Sequence, residues 1–242
     1  ALREQELELH YQPQVDTRGN MVAAEALLRW RDPDKGLVSP GEFIPVAEES
    51  GLIVPIGQWV LEEACRQVAL WRGQGHDLRV AVNLAAAQLM TTDLCGDVQR
   101  CLSLYSLSPE ALELEVTESS FIHNLDHARK VLAGISDLGV AVAVDDFGTG
   151  YSSLAYLKQL PVGRLKIDRS FVRDLPGDRQ DAELCSAIIG MGRNLGLEIV
   201  AEGVEYANQG EWLGSQGCHL LQGFHFARPM PASELAGWSF AG

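Results

Sequence analysis

Five carboxylates and one lysine pose the chemical question. Glu25, Asn83, Glu115, Asp145, Lys166, Glu202 and Gln222 stand near the ends of strand-like runs, and Asp146 directly follows Asp145. Strand alternation puts the first seven on the inward faces of their strands. Two adjacent aspartates at the end of a buried strand repel each other, and both ionise cheaply only with a cation between them. Carboxylates and an amide oxygen are the hard ligands that magnesium and manganese prefer, and no cysteine or histidine joins the set. Each group alone reads as a solvated rim residue. Converging on one mouth, they read as a two-metal centre, with ions ~4 Å apart that activate a water for in-line displacement at phosphorus.

Strands must deliver these groups to one place. The runs at 6–15 (ELELHYQPQV) and 21–30 (MVAAEALLRW) are joined by DTRGN, too short for a parallel crossover, so they form an antiparallel hairpin. Further strands are expected at 78–84 (LRVAVNL), 112–116 (LELEV), 138–144 within LGVAVAVDDFGTGYSS, 164–168 (RLKID), 198–202 (EIVAE) and 219–222. Helical spacing appears over 57–72, 88–104, 126–138, 181–195 and 209–216, with a helical start at GEFIPVAEES. This alternation implies a mainly parallel sheet, and eight strands in 242 residues suggest a TIM-type (β/α)8 barrel. The opening hairpin makes the first strand antiparallel to the others. No repeat or internal linker interrupts the pattern, so residues 1–242 are read as one domain.

Composition narrows the function. The net charge of −14 excludes a broad surface for tracking duplex nucleic acid, although metals would let an acidic site hold a small phosphate ligand. Cysteines 65, 95, 101, 185 and 218 are scattered and odd in number, which predicts reduced thiols, a cytoplasmic location and no zinc ribbon. No apolar run approaches the ~18 residues of a membrane span. The first residue is Ala1 rather than Met, which suggests a piece of a longer protein.

Three other signals have plainer readings. His123 and His127 have a zinc-binding spacing but lack the Glu of H-E-x-x-H, which leaves a solvated helix face. GMGRNLG at 190–196 follows a helix rather than a strand, so helix packing and a terminal glycine explain it better than dinucleotide binding. Phe147 and Tyr151 are read as loop anchors rather than base-stacking platforms.

Over its whole length the chain resembles the EAL-domain cyclic di-GMP phosphodiesterases. Glu25-Ala26-Leu27 stands within EALLRW, preceded by YQPQ at 11–14. NLA at 83–85, LELEVTES at 112–119, DDFGTGYSS at 145–153, KID at 166–168, AEGVE at 201–205 and LQGF at 221–224 follow in family order. Any one of these is weak, whereas their joint order is specific. The resemblance implies that Glu25, Asn83, Glu115, Asp145, Asp146 and Glu202 form the metal centre, and that Lys166 lies near the attacking water. Glu202 is left as ligand, proton carrier or both. Gln12, Leu28, Arg29, Asp168 and Gln222 match dinucleotide contacts. Glu118 matches a glutamate that stabilises the loop after Asp146; a carboxylate beside that loop can accept from its N–H groups or from the Thr149 and Ser152 hydroxyls. The implied cofactors are two Mg2+ or Mn2+ ions, with Ca2+ inhibitory, and the implied reaction opens cyclic di-GMP to linear 5′-pGpG. Ala85, where the family often has Ser, removes a hydroxyl but no ligand. Further signalling domains in the parent protein and a homodimer are accompanying expectations. The alternative is a cyclic di-GMP receptor on the same barrel that has lost turnover. Such a receptor typically lacks a metal or lysine position, and here each is filled.

Overall fold

The computed structural model describes residues 6–91, 93–122, 124–148 and 157–239. Its first strands, β1 (Leu7–Asp16) and β2 (Met21–Asp32), form the expected hairpin, in register from Leu7 opposite Trp30 to Gln14 opposite Ala23, with a shift before Val15 opposite Met21. The Asp16 carboxylate closes the turn, accepting the backbone N–H of Arg18 at 2.8 Å and of Asn20 at 2.9 Å. A short β3 (Gly36–Val38) folds back on β2, followed by α1 (Pro40–Glu49) and α2 (Ile53–Gly73).

The chain then alternates. β4 (Arg79–Leu84) precedes α3 (Ala86–Thr91) and α4 (Leu94–Leu104), and β5 (Leu112–Thr117) precedes α5 (Ser119–Ile122) and α6 (Leu125–Asp137). β6 (Ala141–Phe147) and β7 (Arg164–Ile167) follow, then α7 (Arg179–Asn194), β8 (Glu198–Ala201), α8 (Ala207–Gln216) and β9 (Leu220–Leu221). The described chain ends with β10 (Met230–Pro231), paired to β1, and α9 (Ala232–Leu235).

Strands β2 and β4 to β9 are parallel neighbours, and β1 closes the ring by pairing antiparallel with both β2 and β9. This is the expected barrel, with β3 and β10 as edge additions that periodicity did not reveal. One expectation changes. The helix expected over 88–104 is two helices, because Asp93 caps α4 by accepting the Gly96 N–H at 3.1 Å. An N-cap carboxylate favours a new start over continuation at that point.

Helices cover the outside of the ring with apolar stripes. Val60, Ala64, Val68 and Trp71 of α2 are buried at helical spacing, and Trp71 meets Tyr11 of β1 edge-on at 4.8 Å. Anchoring Tyr11 outward directs Gln12 and Gln14 inward by strand alternation. All five cysteines are free thiols. His127 is tied down, its ring Nε2 lying 3.2 Å from the Leu89 carbonyl, whereas His123 lies outside the described residues. GMGRNLG ends α7, where a side chain at Gly192 would overlap Ile199. Among the described residues no helix is long and apolar enough to cross a membrane.

Candidate active site

The barrel interior carries two successive levels of charge, because β5 and β7 each point two charged residues inward two positions apart. At the lower level Arg164 pairs with Glu113 and Glu198, and Arg79 lies 3.6 Å from Glu113 and 4.0 Å from Glu198. Two cations face two anions, and that level is balanced. At the mouth the fully buried Lys166 is the cation for four carboxylates. Its Nζ lies 2.6 Å from Glu115 Oε2, 2.6 Å from Glu202 Oε1, 3.3 Å from Asp145 Oδ1 and 3.6 Å from Glu25 Oε2. Asp146 adds a fifth carboxylate, half-buried beside them.

Burial first, and this excess of negative charge second, shift the titration of the groups at the mouth. Burial, with the neighbouring carboxylates, pushes Glu202 up to about 8 and raises Glu115, Asp145 and Asp146. Glu25 goes the other way. Burial alone would raise it, but Lys166 and hydrogen bonds from Gln222 and Asn83 hold it below the ordinary glutamate value. Burial would likewise lower Lys166, yet its carboxylate neighbours raise it well above the ordinary lysine value.

Amides organise the rim of this cluster. Asn83 Nδ2 donates to Glu25 Oε1 at 2.7 Å, and Gln222 Nε2 donates to Glu25 Oε2 at 2.6 Å and to Gln12 Oε1 at 3.1 Å. Gln12 Nε2 in turn donates to the Ala227 carbonyl at 2.9 Å. Glu202 and Gln222 stand together because the loops that follow β8 and β9 touch; a side chain at Gly223 would overlap the Val204 backbone. A cavity of about 290 Å3 opens over Gln12, Glu25, Glu202 and Gln222 and is also lined by Leu27, Arg169 and Phe224.

The mouth thus gathers Glu25, Asn83, Glu115, Asp145, Asp146, Lys166, Glu202, Gln12 and Gln222. Arg29 is half-buried on the face of β2 that carries Glu25, with Nη1 donating to the Leu28 carbonyl at 2.9 Å. Leu28 itself packs against the apolar core, and Leu27 lines the cavity instead. Asp168 follows β7 and accepts the Ser170 N–H at 3.0 Å. Glu118 is buried between β5 and α5. Thr149 and Ser152 lie outside the described residues, as does Tyr151, while Phe147 is buried as an anchor. Arg169, Phe224 and Gln14 were missed. Only Gln14 carried a local signal, as the inward neighbour of Gln12 two positions along β1.

The donor set fits divalent cations. Carboxylate oxygens of Asp145, Asp146 and Glu202 lie within 4.8 Å of one another, and the buried Glu115 Oε1 has no hydrogen-bond partner. A lone ammonium leaves most of the mouth's charge unmatched, whereas two divalent cations would offset it. Fold and mouth together define a mixed β/α barrel with an acidic, metal-ready centre at the carboxyl ends of its strands.

The EAL domain family model matches residues 1–229, and the chain belongs to that family. It is 52% identical over 237 residues to the bifunctional diguanylate cyclase/cyclic di-GMP phosphodiesterase MucR of Pseudomonas aeruginosa, covering 97% of this chain and 35% of that protein. It is 43% identical over 238 residues to the cyclic di-GMP phosphodiesterase PdeR of Escherichia coli, covering 98% of this chain and 36% of that protein. The chain therefore spans about a third of the length of these relatives. The solved structure of the PaMucR phosphodiesterase in complex with c-di-GMP superposes with a TM-score of 0.93 at 52% identity, covering 97% of this chain and 96% of that one.

Proposed function

We propose that this chain hydrolyses cyclic di-GMP to linear 5′-pGpG with the help of two divalent cations, Mg2+ or Mn2+. The observation that carries the reading is the imbalance at the mouth, where one ammonium faces four carboxylates two residues above a level in which charges cancel. Evolution can neutralise buried charge with arginine, as it does below; leaving the mouth acidic makes sense if cations arrive from outside. The relatives' cyclic di-GMP chemistry gives the substrate.

Glu25, Asn83, Glu115, Asp145, Asp146 and Glu202 would hold the ions. When bound, hard cations draw in the phosphodiester, stabilise charge growing on its oxygens and activate the attacking water. Arg29 offers a planar fork to a phosphate oxygen, and Gln12, Gln222, Asp168 and Leu27 hold the dinucleotide. Lys166, held among these carboxylates, would position the attacking water or help take its proton. Glu202 would serve as a metal ligand, as the carrier of the proton that leaves the water, or as both. The phosphorus–3′-oxygen bond breaks, the oxygen from water stays on the 5′-phosphate of pGpG, and the proton taken from that water is returned to the 3′-oxygen, which leaves as a hydroxyl.

The test is incubation of the purified chain with cyclic di-GMP and Mg2+, followed by chromatography for pGpG, with Mn2+ and Ca2+ arms. Product is expected with Mg2+ or Mn2+ and suppressed by Ca2+, which is larger and accepts looser coordination. Tight binding without product under any of these ions would overturn the hydrolase in favour of a receptor. A cytoplasmic setting, further signalling domains and a homodimer complete the proposal.

A further inference from the structure

We propose that Gln14 is a positioning residue of the mouth, orienting the Gln222 amide and through it Glu25. The proposal deepens the metal-centre reading and rests on it for its effect on metal binding, but not for its effect on Gln222. Gln14 lies on β1 two residues past Gln12, one level deeper in the barrel, and is fully buried. Its Nε2 donates to Gln222 Oε1 at 3.0 Å across 208 residues of sequence. The other end of that amide donates to Glu25 Oε2 at 2.6 Å and to Gln12 Oε1 at 3.1 Å.

The Glu25 carboxylate accepts only the nitrogen end of the Gln222 amide, and a donor held against the oxygen end reinforces that orientation. Reversed, Gln222 would set its oxygen against Glu25 and Gln12 Oε1, and its nitrogen against the Gln14 nitrogen. The donor from below makes the observed orientation the one in which every contact pairs a donor with an acceptor. Gln222 and Asn83 then clamp the two oxygens of Glu25 from opposite sides.

Packing alone does not account for an amide at position 14. Gln14 Oε1 is buried without a hydrogen-bond partner, a desolvation cost that an apolar side chain of similar volume would avoid. Gln14→Leu should therefore keep or raise the melting temperature while freeing Gln222 to rotate. Partners one step behind a metal ligand commonly change metal affinity by about 10–100-fold, and a single orienting bond belongs at the low end of that range.

Two readouts test this. In the metal-free, 15N-labelled chain, the Gln222 side-chain NH2 should exchange slowly with solvent, and Gln14→Leu should speed that exchange about tenfold or more. In Mn2+ titrations by calorimetry without substrate, Gln14→Leu should weaken binding about tenfold, yet add nothing to Gln222→Leu. Unchanged exchange at Gln222, or an unaltered Gln14→Leu penalty in the Gln222→Leu background, would overturn the proposal. If Gln14→Leu fails to fold, Gln14→Met is measured the same way. If the wild-type chain binds no Mn2+, the metal-centre reading falls and the exchange rate alone decides the role of Gln14.

Discussion

The N–H of Asp146 donates to the side-chain carboxylate of Asp145 at 2.9 Å, and Asp146 sits in the left-handed region with φ 53°. Adjacent strand residues ordinarily face opposite ways. Here the left-handed turn, with a register shift between β6 and β7 after Val144, lets both carboxylates serve one mouth. Aspartate and asparagine tolerate this backbone region better than most residues.

Asp146→Asn should therefore leave the backbone intact while removing charge. Turnover should fall by an amount equivalent to about 2.7–4 kcal/mol of barrier, the usual loss for one such contact. Steady-state rates across a Mg2+ series check this. A wild-type rate at limiting Mg2+ would remove Asp146 from the metal centre.

Lys166→Ala should lower kcat far more than it raises KM, because the ammonium lies among the carboxylates rather than at the open rim. A rise in KM with kcat preserved would move Lys166 to the substrate contacts.

Glu118 is buried at the end of β5, next to the strand that delivers Asp145 and Asp146. Glu118→Gln is expected to cost about 10–100-fold in activity and to demand more Mg2+, with cooperative melting retained. Normal activity and normal Mg2+ dependence would show that Glu118 plays no part in supporting the metal loop.

Proton competition sets the pH response. Without metal, Glu202 is pushed from an ordinary 4.5 up to about 8, and Asp145 and Asp146 are raised as well. The folded chain thus holds protons that the unfolded chain has released. That stability is fully present below the ordinary carboxylate value and is lost as pH rises through about 8. The metal-free chain should melt lower at about pH 9 than at about pH 6, and Mg2+ should raise Tm most at the higher pH. A metal-free Tm that climbs over this interval would contradict the assignment of raised carboxylates.

Much of this protein was legible in its residues. The DTRGN turn is too short for a crossover, which fixed β1 as antiparallel, and apolar strands alternating with helices required a mostly parallel barrel. Because the side-chain period of a strand is local, Glu25, Glu115, Asp145 and Lys166 could be assigned to the interior from spacing alone. Contacts between distant strands could not, since they depend on barrel closure and register. That Lys166 meets four carboxylates while Arg164 is balanced below it follows from how β5, β7 and β8 are staggered. The same holds for Gln14, whose partner Gln222 is 208 residues away. Leu27 rather than Leu28 reached the cavity because the pleat of β2 continues past Glu25. Composition and period determined which groups the mouth could use; closure of the ring decided which of them touch.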